Sequence, residues 1–308
     1  MVTVLLIDAA LIALLLLVVA RARAARRQPR ARIAWLAGLV GALALLTQGT
    51  VVPLDVLDGL LGGTNVLKLV QGVLTMVALW LGIQAGIAPV TARVSTLRWR
   101  FPAILAGVFA VVFFVALPER GPTSFRFIED AVATSTGAWA YGVVHMAGIA
   151  LVGVLLCVSA RVSLPGVRGF FRAGAIGIVL GCVSEIVDLT LTRFFTPVPV
   201  VSALFDPLFY LGVLAFVIGI FRASRMTGRI RRRGEALLDD LDAVAARRGV
   251  ASLPGLTDEP STDTRLHALR VAVEDHAIAT SSPLSAAERA LLDDIDAHLT
   301  RRPTGARP

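Results

Sequence analysis

Six ionisable side chains interrupt long apolar runs of this sequence: Asp8, Lys68, His145, Glu185, Asp188 and Asp206. An isolated charge at the centre of a bilayer costs about 2.5–3.5 kcal/mol even on the permissive scales, so such groups pair, give up their charge or keep water. Carboxylates near a lysine and a histidine can then hold a proton, neutralise one another, or bind a polar solute or ion. Their spacing sorts them onto faces. Gly174, Gly177, Gly181, Glu185, Asp188 and Thr192 follow steps of three and four, which is one stripe of a helix. Small residues along such a stripe let a neighbouring backbone approach, so the face is expected to pack on protein and to turn both acids inward. Asn65, Lys68, Gln71 and Thr75 form a second polar stripe. Tyr141, His145 and Gly148 form a third, and Asp206 and Tyr210 share a fourth.

The elements that carry these stripes read as membrane spans. The 308 residues are 56% hydrophobic and 17% charged, a balance of an integral membrane protein. Seven runs reach the roughly 20 residues that cross a hydrocarbon core: 2–20, 33–53, 64–86, 101–117, 137–158, 170–193 and 201–221. The fold class expected is therefore all-α, a polytopic membrane protein of seven transmembrane helices. The first run has no basic residue ahead of it and "RARAARRQPRAR" directly behind, the reverse of a secretory signal, so it reads as an uncleaved helix.

Charge in the connections supplies an orientation. Eighteen basic residues fall in alternate links and three in the others. Because basic loops stay in the cytoplasm, the amino terminus is expected outside and the carboxyl terminus inside. On that topology all six buried charges lie between mid-membrane and the outer interface, with Asp8 the member closest to plain solvation. The net charge of +8 belongs to these short loops, so a nucleic-acid partner is not expected. Of the 30 basic residues only Lys68 is a lysine, a bias that fits a GC-rich bacterial source and a bacterial plasma membrane.

Beyond Phe221 the composition changes, and residues 222–308 read as a cytoplasmic helical tail with a linker near 249–262. Leu237, Leu238, Leu241, Val244 and Ala245 have helical spacing. A second helix is expected over Asp263 to Ala279. A third starts near Ser285, whose distance from Glu288 fits a capping box. The tail reads as a helical hairpin or as a partner for another helix, with the arginines of 222–233 at anionic headgroups.

The polar set points to a pocket open to the outer face, lined by Lys68, Gln71, His145, Glu185, Asp188, Asp206 and Tyr210, with Glu185 or Asp188 as the partner of the lysine. The same residues also fit an internal network that only fixes helix register. No catalytic or metal site is expected. The lysine is on the third run, not on the last as in seven-helix retinal proteins, and His145 lacks the further histidines of membrane zinc hydrolases. HExxH, Walker A and GxGxxG patterns are missing from the sequence, so an enzyme is not expected, nor any cofactor. Cys157 and Cys182 read as packing thiols.

The outside amino terminus, the Arg-rich first inner loop, "TNVLKLVQGVLTMVALW" at the third run and "TRLHALRVAVEDHAIAT" in the tail together resemble a family of actinobacterial seven-helix membrane proteins labelled transporters. Its members end in a helical cytoplasmic domain. The resemblance implies a small-solute or ion transporter. The alternative is a receptor-like or scaffold protein whose tail binds a soluble cytoplasmic partner. The expected partners are thus the lipid bilayer, a small solute or ion, and a protein at the tail.

Overall fold

The computed structural model describes residues 2–27, 29–87, 99–124, 126–162, 165–250 and 262–300. Among these the chain is helical, without strands. The helices are α1 (Val2–Arg27), α2 (Pro29–Leu46), α3 (Leu54–Gly59), α4 (Val66–Ile87), α5 (Arg100–Ala116), α6 (Phe127–Val132), α7 (Thr136–Ser159), α8 (Pro165–Phe194), α9 (Pro199–Ser202), α10 (Phe205–Arg248), α11 (Thr262–Ala279) and α12 (Ala286–Thr300). Five stretches are long and apolar enough to cross a membrane: Thr3–Arg26, Val66–Ala85, Thr136–Ser159, Gly166–Phe194 and Pro199–Arg248. Two shorter apolar helices, Ala31–Leu46 and Arg100–Ala116, lie where the second and fourth spans are expected. The second expected run extends to residue 53, but α2 stops at Leu46. The chain turns there through Gly49, at φ +83, a left-handed conformation that glycine adopts without steric cost.

Contacts divide the chain into two compact units, Met1–Arg222 and Ala223–Pro308. Most of the expected linker, residues 251–261, lies outside the described residues, as do Arg93 and Arg98 of the third link.

In the first unit α2 packs on α1 and α4, and α7 packs on α4, α5 and α8. The glycine stripe of α8 lies against α10. A side chain on Gly174 would meet the carbonyl oxygen of Gly212 at 2.8 Å, and one on Gly177 would meet the Gly212 Cα at 2.9 Å. The opposite face of α8 carries Ile176, Leu180, Val183 and Val187, all exposed. One helix therefore shows a bare face toward protein and a branched apolar face outward, which suits lipid and not water. Exposed Leu5, Ile12, Leu16 and Val19 on α1 and Ile104, Val111 and Val115 on α5 do the same.

The second unit holds a core of its own. Leu237, Leu238, Leu241, Val244 and Ala245 meet Leu266, Leu269 and Val273 of α11 and Leu292 and Ile295 of α12. The sequence foresaw the apolar positions but read them as a hairpin or as half of an interface. Three helices bury them together instead. The expected capping box is present: Ser285 N donates to Glu288 Oε2 at 2.8 Å, and Glu288 N donates to Ser285 Oγ at 3.2 Å. The sequence also reads the last span and the first tail helix as separate elements. They form one helix, α10, in which no proline follows Pro207 before its end at Arg248.

Candidate functional site

A cavity of about 620 Å³ opens among α1, α4, α6, α7, α8 and α10, and every residue that lines it belongs to the first unit. The parts that line it lie near the start of α1, α4, α7 and α10 and toward the end of α8. Gly142 near Leu189 and Gly153 near Val179, with Gly181 near Phe209 and Gly174 near Phe216, show α8 antiparallel to α7 and α10, so its end meets their starts.

From α4 come Lys68, Gln71, Gly72 and Thr75. What fixes their height is a clamp at the start of the helix. Asp58, 0% exposed, accepts hydrogen bonds from Asn65 N at 2.7 Å, Leu67 N at 2.8 Å and Thr123 Oγ1 at 2.6 Å. Burial pushes the Asp58 carboxyl up, and the three hydrogen bonds outweigh it and hold the group below its ordinary value. Asn65, at φ +60, donates from Nδ2 to the carbonyls of Arg120 and Pro122 and accepts from Ser124 N. In sequence Asn65 belongs to the polar stripe of Lys68. In the structure it ties two connections together and does not line the cavity.

From α7 come Tyr141, Gly142, His145, Met146 and Ile149. The His145 ring stacks on Tyr141 at 5.7 Å and meets the edge of Phe109 at 5.2 Å. It lies against Gly72, where any side chain would collide with it. Gln71 Oε1, Tyr141 Oη and His145 Nε2 are buried and have no hydrogen-bond partner among the described residues. Trp139 Nε1 donates to Thr190 Oγ1 at 3.2 Å, which joins α7 to the helix that carries the acids.

From α8 come Glu185, Asp188, Leu189 and Thr192; from α10, Phe205, Asp206, Phe209 and Tyr210. Thr3 Oγ1 donates to Asp206 Oδ2 at 2.8 Å, and Gln48 Nε2 donates to Tyr210 Oη at 3.1 Å. The start of α1 and the end of α2 thus fasten the α10 wall.

All seven residues singled out in the sequence, Lys68, Gln71, His145, Glu185, Asp188, Asp206 and Tyr210, border this one cavity. Asp8 is not among its lining residues. Sequence reasoning missed Glu129 and Arg126 beside the short helix α6, together with Thr3 and Gln48. Glu129 matters most. Burial pushes its carboxyl up, while the Lys68 charge, followed by that of Arg126, works in the opposite direction. The lysine therefore acts on a carboxylate that the sequence had counted only as a loop charge. The charged groups that act on Glu185 are Glu129, Asp188 and Asp206, all carboxylates. A weak signal was available, since "FRFIEDAV" places Glu129 between Phe127 and Val132, which are both buried. Among the described residues no group of three or more His, Cys, Asp or Glu converges closely enough to hold a metal ion.

Compared with family models, with curated proteins and with solved structures, the chain finds no match. Function is then read first from the chemistry of the cavity. Its size suits a small molecule, and its walls offer charge, hydrogen-bond donors and acceptors, and aromatic faces.

Proposed function

We propose that the protein is a multi-pass membrane protein of seven spans that admits a small solute or ion from the outer side and transports it. The observation that carries this reading is the meeting of seven polar side chains, from four helices, around one cavity. A network that only fixed register would close such groups on one another, whereas three of the buried polar atoms here have no partner among the described residues. The alternating arginines support an amino terminus outside and a carboxyl terminus inside, in a bacterial plasma membrane. On that topology the cavity faces outward. Glu185 is then the binding or coupling carboxylate, and Lys68 supplies counter-charge at the neighbouring wall. The reading is not enzymatic. Its resemblance to the actinobacterial family of transporters points the same way.

The compact core of the tail favours a second reading, in which the cavity senses a solute and the tail docks a soluble protein. Solute and proton flux in proteoliposomes separates the two. Transport predicts flux in wild type and its loss in a Glu185→Gln variant that still folds and inserts. Absence of flux for every solute tried, with specific capture of a soluble protein by the tail, favours sensing. A reporter fused after Phe221 should be cytoplasmic; an extracellular reporter removes the outward-facing cavity.

A further inference from the structure

Resting on the reading of the cavity as a solute site, we infer that its occupant is a small organic cation, an amine whose charge sits beside apolar carbon. Four carboxylates, Glu129, Glu185, Asp188 and Asp206, line the cavity against two basic side chains, Lys68 and Arg126. With every group ionised the wall has an excess of two negative charges. The two basic groups do not spread this balance evenly, because both act on Glu129. Glu185 is left with carboxylates as its charged neighbours. Three acids on α8 and α10 thus share one region, which repels an anion and is relieved by a positive guest.

Two further observations narrow the guest. The carboxylates come from three helices and do not converge as metal ligands among the described residues, while a volume of about 620 Å³ leaves room for a carbon skeleton. The walls between the acids are aromatic: Phe205 stacks on Phe209 at 5.3 Å, and Phe209 meets Tyr210 edge-on at 5.5 Å. Ring faces attract ammonium groups as well as apolar carbon. Tyr141 supplies an independent sign of a ligand. It is 1% exposed and borders the cavity, yet its hydroxyl has no partner among the described residues. A buried hydroxyl without a partner is unfavourable, and a guest that brings an N–H donor to this wall would offer it one.

Equilibrium binding to the purified full-length protein in lipid nanodiscs tests this, with empty nanodiscs as the blank. The probes are phenethylamine, phenylalanine and 3-phenylpropionate, which share a ring and differ in charge. Phenethylamine should bind at least tenfold more tightly than 3-phenylpropionate. It should lose at least tenfold in Glu185→Gln and in Asp206→Asn, two separate variants whose elution and melting show that they fold. If phenylalanine or 3-phenylpropionate matches the amine, the cation inference falls while the solute reading stands. Amine binding unchanged in both variants also overturns it. If none of the three binds, the cation inference falls, and flux in proteoliposomes still decides the solute reading separately.

Discussion

Glu288 takes hydrogen bonds from two directions. Its carboxylate accepts from Arg248 Nε at 2.8 Å and Arg248 Nη2 at 2.6 Å, and from Ser285 N at 2.8 Å. The Arg248 side chain, then the Ser285 backbone, draw its carboxyl down to about 2 from an ordinary 4.5. A folded value below the unfolded one means stability that is complete above the unfolded value and is lost as pH falls through the folded one. The second unit should therefore loosen between about pH 4.5 and pH 2. Amide exchange across α11 and α12, corrected for intrinsic rates, should rise through that window. In Glu288→Gln exchange should already be faster at neutral pH, and the difference from wild type should vanish at the acid end. The Ser285 and Glu288 pair was legible, because a capping box is local: its residues are three apart and its donors are their own backbone. Asp58 was not legible in the same way. It reads as one of two acids in a base-free loop, and its partner Thr123 lies 65 residues away, beyond the reach of any periodicity.

At the scale of elements, the α8 stripe could be read because helical geometry alone places Gly174, Gly177 and Gly181 on one side. The identity of the neighbour could not. Gly212 of α10 completes the contact, and a side chain there would come within 2.7 Å of Ile178 N. Backbone lies on both sides of this seam, so neither side can yield by turning a side chain. Gly177→Leu should therefore cost at least the roughly 1–3 kcal/mol typical of overpacking, seen as a lower melting temperature and poor recovery of monodisperse protein. Gly169→Leu on the same helix is the matched control, since nothing lies within 4 Å of the added carbon; it should behave as wild type. If Gly177→Leu melts like the control, the seam is not where the two helices meet. The limits of helices were less legible than their faces. Neither the stop of α2 at Leu46 nor the unbroken course of α10 follows from hydrophobic run length, which measures composition and not where the backbone turns.

For the molecule as a whole, the cavity was legible to the extent that its walls are regular helices. Lys68, Gln71, His145, Glu185, Asp188, Asp206 and Tyr210 each stand out against an apolar background, and period fixes their faces. Arg126 and Gln48 come from connections and Glu129 from the six-residue helix α6, where polar residues are ordinary and nothing marks the few that turn inward. The placement of these groups along the helices has an electrical consequence. Glu185 is nine residues from Phe194, the end of α8, roughly 14 Å at 1.5 Å per residue, or about half of a 30 Å hydrocarbon core. Asp206 follows directly on the first residue of α10. A monovalent guest moved across the full field gains or loses about 2.3 kcal/mol per 100 mV. If it settles at Glu185, its affinity should change roughly sevenfold per 100 mV, about half of that energy; at Asp206 it should hardly change. On the proposed solute reading, membrane voltage thus acts as a ruler for the depth at which the guest rests, and the sign of its effect reports which side of the membrane the guest came from.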